Sequence, residues 1–201
     1  ELDKDHPTLL IELLQNVKGT KDERIQYSPE RMEETIKLAM KKSNWGNTTE
    51  ATHQGFSAYY SHNTHVAEVA DIEMKNGMPL VKKVTVAVDC GIVVNPLGAK
   101  NQVEGGVIDG IGHAMYGNFS FKEGTPQAVN FDNYRLIRMQ ETPEVSTHFV
   151  ESGLSPTGLG EPGLPPAGGA VANAIHTATG ERLLKQPFIN ELEMSKSKIL
   201  G

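Results

Sequence analysis

The sequence predicts an α+β fold in which helices and strands are mixed along the chain. Three observations support this prediction: amphipathic helical segments near the start, a β-hairpin centred on Asn76-Gly77, and a glycine-rich helical segment after Asn95. Of the 201 residues, 38% are hydrophobic and 22% are charged, a balance typical of globular proteins. This length suffices for one large domain or two small ones, and no internal repeat or clear linker divides it.

The composition excludes several classes of function. The net charge is −6 and no basic stripe is present, so we expect no nucleic-acid partner. No apolar run approaches the roughly 20 residues of a membrane-spanning helix. Cys90 is the only cysteine, which excludes an internal disulfide and an iron–sulfur cluster held by this chain's own cysteines. The chain begins with Glu1 and shows no signal peptide, and the compartment is not indicated.

Two helices are predicted before the first strand. The first covers Leu9–Val17 and ends before Gly19. A polar segment follows, and Ser28-Pro29 then begins the second helix, with Ser28 as the N-cap and Gly46 after its end. Their apolar faces consist of Leu10, Leu13, Leu14 and Val17 in the first helix and Met32, Ile36, Ala39 and Met40 in the second.

A β-hairpin is predicted in the next segment. Residues 47–55 are polar and indicate a loop, after which Thr64–Met74 and Leu80–Val88 form the two strands. Asn76-Gly77 between them is the strongest short hairpin signal. Valines alternate with Lys83, Thr85 and Ala87 in the second strand, which predicts that one of its faces is buried.

A helix with unusual composition is predicted to begin at Asn95-Pro96, with Asn95 as its cap. It contains several interior glycines, each of which costs about 1 kcal/mol relative to alanine. Such a helix indicates close approach to another backbone or to a ligand. One predicted face carries Gln102, Gly106, Asp109 and His113, and the opposite, core-facing side carries Val103, Val107, Ile111 and Ala114.

The last third of the chain is predicted to contain short strands and one helix. The strands are 118–122, 128–131, 134–139 and 145–150, with a turn at Glu123-Gly124. The helix runs from about Ala167 to Thr179 and ends at Gly180. The tail after Ile189 is charged and has no strong pattern.

The stretch from Gly158 to Ala170 has five glycines, three prolines and one carboxylate, Glu161. Prolines fix φ and glycines give access to positive φ, so we expect a tightly shaped loop that holds Glu161 just before a helix. A surface acid in a turn is the alternative reading. A buried carboxylate beside a ligand has a raised pKa and serves as a general base.

Other polar residues allow two readings each. Gln102 is either a polar residue on a solvated helix face or an amide that binds a polar heterocycle without adding charge. The glycines could donate N–H groups to a phosphate, but no standard nucleotide-binding motif is present. His53, His62 and His65 do not form a His-Glu-x-x-His motif, and we predict no metal-ligating residue. Asp109 and His113 are interpreted as a simple hydrogen-bonded pair, and Cys90 as a small buried residue.

Several spaced motifs resemble those of the molybdenum hydroxylases, the xanthine dehydrogenase and aldehyde oxidase family. These motifs most resemble one branch of the family, the large, beta-type subunits of isoquinoline 1-oxidoreductase-like enzymes. The resemblance covers about residues 31–188. The motifs shared with the whole family are Val88-Asp89-Cys90-Gly91, Asn95-Pro96, Gln102-Val103-Glu104-Gly105-Gly106, Gly110-x-Gly112 and Gly158-Leu159-Gly160-Glu161-Pro162-Gly163. Those shared with the branch are Phe131-Asp132-Asn133-Tyr134, Arg138-Met139, Pro143-Glu144-Val145, Ala174-Ile175 and Thr179-Gly180.

The resemblance implies a molybdenum cofactor-binding domain and an oxidoreductase that hydroxylates a carbon of an N-heterocycle or an aldehyde with oxygen from water. The cofactor would be a molybdenum–pterin, in its cytosine dinucleotide form in bacteria. Glu161 matches the family's catalytic glutamate, which acts as the general base. Gln102 matches a glutamine that hydrogen-bonds the pterin, and Gly158, Leu159 and Gly160 would bring backbone close to the cofactor.

The resemblance also implies that this chain is a piece of a longer subunit. Family large subunits are several times longer, and their Gly-Gly-x-Phe-Gly motif is absent here. We therefore expect residues 1–201 to be a C-terminal fragment of the molybdopterin-binding domain, without bound cofactor and inactive in isolation. Its partners would be the N-terminal remainder of the subunit and a subunit with iron–sulfur clusters. A noncatalytic homologous domain or partner-binding module is the alternative.

Overall fold

The computed structural model describes residues 4–19 and 27–192 and confirms the α+β fold. A four-stranded sheet carries helices on both faces, and a small two-stranded sheet lies apart from it. In chain order the elements are α1 (His6–Asn16), α2 (Pro29–Ser43), β1 (Thr52–Ser61), β2 (Thr64–Lys75), β3 (Met78–Asp89), α3 (Pro96–Tyr116), β4 (Phe121–Lys122), β5 (Thr125–Pro126), a 3-10 turn (Met139–Glu141), β6 (Glu144–Phe149) and α4 (Pro165–Thr179).

The main sheet has the strand order β1-β2-β3-β6. Its first three strands form an antiparallel meander, and β6 pairs parallel to β3. Asn76 and Gly77 both have positive φ, as a tight two-residue hairpin turn requires, which confirms the predicted hairpin. His62 and Asn63 form a second turn of this kind between β1 and β2, with φ of 53° and 61°.

Two apolar cores lie on opposite faces of the sheet. Val84, Val86 and Val88 of β3 pack towards α3 and α4, whereas Ala87 packs towards α1 and α2. The prediction that only one face of β3 is buried is therefore wrong, because helices cover both sides from Val84 onwards. The predicted inner faces of α2 and α3 are confirmed: Met32, Ile36 and Ala39, and Val103, Val107, Ile111 and Ala114, are all buried.

Strand β1 was not predicted, and its first residues fall in the predicted polar loop. The segment lacks alternation because α4 crosses it closely: a Cβ at Gly55 would lie 2.0 Å from the Ala174 nitrogen. Helix α1 begins earlier than predicted, with Asp5 as its N-cap. Only Leu14 of its four predicted apolar positions is buried, and Leu13 and Val17 are exposed.

The segment between α3 and β6 is less regular than predicted. Strands at 128–131 and 134–139 do not form, and β4 covers only Phe121–Lys122. The side-chain oxygen of Asn133 instead accepts hydrogen bonds from the backbone N–H groups of Val129 and Asn130. The predicted strand at 145–150 is confirmed as β6, and α4 ends at Gly180 as expected.

Two predicted irregular segments extend beyond the described residues. Most of the polar segment before Tyr27 lies outside them, as does the tail after residue 192. Residues 188–192 are helical, and Phe188 and Leu192 are buried against the core. In the described ranges, none of the helices combines the length and the apolar character that crossing a bilayer needs.

Glu68 is an unusual feature of the core because it is completely buried in the middle of β2. It pairs with Ser57 of β1 and Val86 of β3, and its sequence neighbours two positions away, Val66 and Ala70, belong to the core beneath α3 and α4. Neither carboxyl oxygen has a hydrogen-bond partner among the described residues. Burial raises the pKa of Glu68 well above its usual range, so the neutral acid is favoured in the folded state.

Replacing Glu68 with glutamine should flatten the pH dependence of stability. Folded Glu68 keeps its proton at a pH where the unfolded chain has lost it, so its contribution is complete below the unfolded pKa of about 4.5 and declines as pH rises. We expect the wild type to lose stability from pH 4.5 upwards and Glu68→Gln to lose less. Urea unfolding between pH 4 and 8 measures this, with Glu73→Gln, a half-buried acid on the same strand, as control. An unchanged slope in Glu68→Gln would contradict the assignment.

Candidate functional site

Helix α3 places the first predicted site residue, Gln102, on its exposed side. The side chain of Asn95 accepts a hydrogen bond from the Gly98 N–H at 3.0 Å, and Pro96 occupies the first helical turn. This cap fixes where α3 begins. Gln102 follows in the second turn, opposite the buried stripe that begins with Val103.

Gln102 joins α3 to the glycine-rich loop. Its Nε2 donates a hydrogen bond to the carbonyl oxygen of Gly160 at 2.7 Å, across 58 positions of sequence. Glu161 is the next residue of that loop. The structure thus brings together three of the five predicted site residues, Gln102, Gly160 and Glu161. The amide oxygen and the second N–H of Gln102 have no hydrogen-bond partner among the described residues.

The other end of the loop is attached to the turn between β1 and β2. The Gly158 N–H donates to the carbonyl oxygen of His62 at 3.1 Å. The hydroxyl of Thr64 donates to the Gly158 carbonyl at 2.6 Å and lies 2.7 Å from the hydroxyl of Thr157. Leu159 packs its side chain on the main core, so the loop backbone is held from both sides.

Positive φ is not the reason for the glycines of this loop, and close approach is required only at Gly158 among those that precede Glu161. None of Gly158, Gly160 or Gly163 has positive φ, which corrects the predicted reason for their presence. A Cβ at Gly158 would lie 2.7 Å from the Cβ of His62, whereas a Cβ at Gly160 would meet nothing within 4 Å. The position that a Cβ would occupy at Gly160 is therefore open space.

Helix α3 contributes a glycine to the same close packing. A Cβ at Gly110 would lie 2.3 Å from the carbonyl oxygen of Leu164, which is a backbone atom at the start of α4. The nearest atom to a Cβ at Gly106 would be the Leu164 nitrogen, at 3.6 Å. The predicted close approach of this helix to another backbone is confirmed at Gly110.

The carboxylate of Glu161 points towards solvent, with 79% of its side chain exposed. The expectation of a buried carboxylate in a crevice is therefore wrong for the described residues, because α3 and the β1–β2 turn support the loop only from beneath. His62 is the ionisable side chain nearest to Glu161 among the described ion pairs, with Nε2 3.9 Å from Glu161 Oε2. The Nδ1 of His62 lies 2.8 Å from the Ser61 hydroxyl, which directs Nε2 away from that residue.

A buried ion pair fixes the segment that leads into the loop. Arg31 donates through Nε to Asp89 Oδ2 at 2.8 Å and through Nη2 to Oδ1 at 2.9 Å. Asp89 Oδ1 also accepts from the Gly91 N–H and from the Ser152 hydroxyl. Burial by itself raises the pKa of Asp89, but the hydrogen bonds from Arg31, Gly91 and Ser152 outweigh it and lower the pKa below its usual value.

Sequence reasoning missed Arg31, Ser152 and the His62 turn. The residue order Asp89-Cys90-Gly91 marked the end of a strand, but no local pattern indicates a partner 58 residues away. Two consecutive residues that tolerate positive φ, His62-Asn63, could have indicated the turn. Cys90 is buried, as predicted.

The remaining candidate groups do not form a metal site. In the part of the chain that the structure describes, no three His, Cys, Asp or Glu side chains are grouped as metal ligands would be. The ring of His65 is buried, burial lowers its pKa to about 4, and its Nε2 accepts the N–H of Ser28. Asp109 and His113 approach to 3.6 Å, an ion-pair distance that is too long for the predicted hydrogen bond.

Comparison with known proteins identifies the fold and the domain type. The family model for the molybdopterin cofactor-binding domain matches residues 14–143. This segment includes Gln102 and ends before Gly158 and Glu161. It begins earlier and ends earlier than the resemblance seen in the sequence motifs.

Two curated relatives and one solved structure illustrate the similarity. The chain is 34% identical over 166 residues to the membrane-bound aldehyde dehydrogenase [pyrroloquinoline-quinone] of Gluconacetobacter polyoxogenes, which is 78% of this chain and 21% of that protein. It is 33% identical over 136 residues to isoquinoline 1-oxidoreductase subunit beta of Brevundimonas diminuta, a match that covers 67% of this chain and 17% of that protein. Quinoline 2-oxidoreductase from Pseudomonas putida 86 superimposes with a TM-score of 0.59 and 19% identity, covering 66% of this chain and 18% of that one. The chain spans about a fifth of the length of these curated relatives.

Alanine at two glycines of α3 should have opposite effects on stability. Gly105→Ala meets nothing within 4 Å and should gain about 1 kcal/mol of helix propensity. Gly110→Ala would force the Leu164 carbonyl away and should cost about 1–3 kcal/mol. Urea unfolding of the two variants and the wild type measures this difference. Equal stability of Gly105→Ala and Gly110→Ala would show that the Leu164 backbone is not in close contact with α3.

Removing the charge of Asp89 should destabilise the chain strongly. Asp89→Asn leaves Arg31 half-buried without its counter-ion, and breaking a buried pair costs about 3–5 kcal/mol. The control is Lys83→Gln, which breaks the exposed Lys83–Glu144 pair and should cost less than about 1 kcal/mol. Urea unfolding gives both values, and limited proteolysis should cleave Asp89→Asn faster between residues 150 and 158. Similar losses in the two variants would be evidence against the proposed anchoring.

Proposed function

Because the chain belongs to the molybdopterin cofactor-binding domain family of the molybdenum hydroxylases, we propose that it forms one wall of an oxidoreductase's cofactor pocket and carries the general base. The observation that carries this proposal is the hydrogen bond from Gln102 Nε2 to the Gly160 carbonyl, 2.7 Å long. It places an unsatisfied amide edge beside the residue that precedes Glu161. A neutral amide and a carboxylate are therefore presented from one rigid surface.

The residues of this surface fit a flat polar cofactor such as a pterin. Gln102 uses one N–H to hold the loop, which leaves its amide oxygen and second N–H for the edge of a ring. Gly160, whose carbonyl accepts from Gln102, lines open space, because a Cβ there would have no neighbour within 4 Å. Gly158 and Leu159 keep the backbone at this position through their contacts with the β1–β2 turn and the core. When bound, the molybdenum–pterin cofactor supplies the redox chemistry of the hydroxylation.

Glu161 is proposed as the proton acceptor. Its carboxylate projects from a loop attached at both ends, so its position is fixed although its side chain is exposed. In the complete subunit, other segments would cover this face and exclude water, which strengthens electrostatic interactions with the substrate. Glu161 Oε2 would accept the proton released when oxygen from water is transferred to the substrate carbon.

The proposed substrate is an N-heterocycle or an aldehyde with an electron-poor carbon. The names of the relatives, which act on an aldehyde and on isoquinoline, support this class. We propose that residues 1–201 form a C-terminal part of the subunit's molybdopterin-binding domain. The N-terminal remainder and an iron–sulfur subunit would complete the enzyme, with the cofactor in its cytosine dinucleotide form. The chain alone would bind no cofactor and have no activity, because it contributes only one wall.

Glu161→Gln in the complete enzyme tests this assignment. Glutamine keeps the shape of the side chain but cannot accept the proton, so we expect turnover to fall by about 10²- to 10⁴-fold. Molybdenum and pterin content should stay at the wild-type level, because Gln102 and the loop are unchanged. The matched control is Glu151→Gln, which changes an exposed acid ten positions earlier and should leave turnover unaffected.

Near-normal turnover of Glu161→Gln would contradict the role of Glu161 as base. A complete subunit that contains Glu161 but binds no molybdenum or pterin would instead favour a noncatalytic homologous domain. The two outcomes are distinguished by measuring metal content and turnover on the same preparation.

A further inference from the structure

Residues 117–143, here named the aromatic arm, connect the end of α3 at Tyr116 to β6, and within the arm Ile137 packs against the core. The arm contains the small hairpin of β4 and β5, and most of its residues are exposed. It starts about 20 Å along α3 from Gln102, given a rise of 1.5 Å per residue. Its starting point is therefore distant from Gln102.

The arm displays large apolar side chains to solvent. Phe121, Phe131 and Val129 are 65%, 69% and 75% exposed. Phe119 packs edge-to-face on Phe121 with ring centroids 5.2 Å apart. Phe119, Val129 and Phe131 border a cavity of about 300 Å³. Clustered exposed apolar side chains indicate an interaction surface, whereas single ones are ordinary.

Polar contacts stabilise the conformation of the arm, so the exposed rings lie on an ordered surface. The guanidinium of Arg135 lies 3.8 Å from the ring centre of Tyr116 and pairs with the carboxylate of Glu141. Asn133 accepts two backbone N–H groups of the 129–130 segment. Such pre-organisation lowers the entropy lost when a partner binds.

We propose that the aromatic arm is the docking surface for the remainder of the same subunit. The arm lies inside the family-matched segment, residues 14–143, so its partner is expected to be a segment that family members share. The matched segments make up 21% and 17% of the two curated relatives, so most of the length of those proteins lies outside the part that this chain resembles. The arm's three basic and three acidic residues cancel, which favours an apolar occupant over a charged one.

This proposal rests on the proposed function only in taking the chain as part of a longer subunit. The occupant would be an apolar segment of that subunit, seated on Phe119, Phe121 and Phe131. A second copy of this chain and the iron–sulfur subunit are the other occupants that the experiment distinguishes.

Hydrogen exchange of the arm, measured in the isolated chain and in the complete subunit, tests the proposal. We expect arm amides to exchange at least about tenfold more slowly in the complete subunit, because a covered backbone opens less often. Phe121→Ser and Phe131→Ser should abolish this protection in the complete subunit. In the isolated chain the same substitutions should change little, because both rings are exposed there. The control is Lys122→Ser, an exposed polar position of the same hairpin.

Three outcomes would overturn the proposal. Equal exchange of the arm in the isolated chain and the complete subunit would mean that the remainder does not cover it. Protection that appears only when the isolated chain dimerises would identify a second copy, and protection that requires the iron–sulfur subunit would identify that partner. None of these readouts depends on turnover, so a failed Glu161 assignment would leave the result for the arm unaffected.

Discussion

The contact between α3 and the loop before α4 is the constraint on which the rest of the site depends. The backbones approach so closely that a Cβ at Gly110 would lie 2.3 Å from the Leu164 carbonyl oxygen. This packing lets Gln102 reach the Gly160 carbonyl and fixes one end of the loop. The other end is fixed by the β1–β2 turn through Gly158. The loop backbone that carries Glu161 is fixed at both ends, although the Glu161 side chain is exposed, because the fixing contacts are made by the backbone of Gly158 and Gly160.

The elements that local chemistry determines could be predicted from the sequence. Caps such as Ser28 and Asn95 mark helix starts because a side-chain oxygen satisfies an otherwise unpaired N–H. The Asn76-Gly77 turn could be predicted because both residues tolerate positive φ. The interior glycines of α3 correctly indicated close approach, since only an external requirement offsets their cost in helix stability. The assignment of Gln102 and Glu161 to one cofactor site came from the resemblance to the molybdenum hydroxylases rather than from these local rules.

The features that depend on distant contacts could not be predicted. Strand β1 has no alternation, because Gly55 accommodates α4 rather than a side-chain layer. The pairing of Arg31 with Asp89 joins α2 to the end of β3, and neither residue has a local pattern that names the other. The positive φ expected for the loop glycines was wrong, because composition does not separate conformational freedom from lack of space. The exposure of Glu161 likewise depends on which distant segments lie next to its loop in three dimensions.

We propose that this surface is one wall of a pocket that other parts of a longer subunit complete. Its polar groups are therefore already arranged, while its apolar and charged surroundings are incomplete. A crystal structure of the complete subunit with its cofactor bound tests this claim most directly. The account predicts that the free amide edge of Gln102 lies within hydrogen-bond distance of the pterin and that the Glu161 carboxylate faces the metal. A cofactor seated away from this surface, with Glu161 still exposed to solvent, would contradict it.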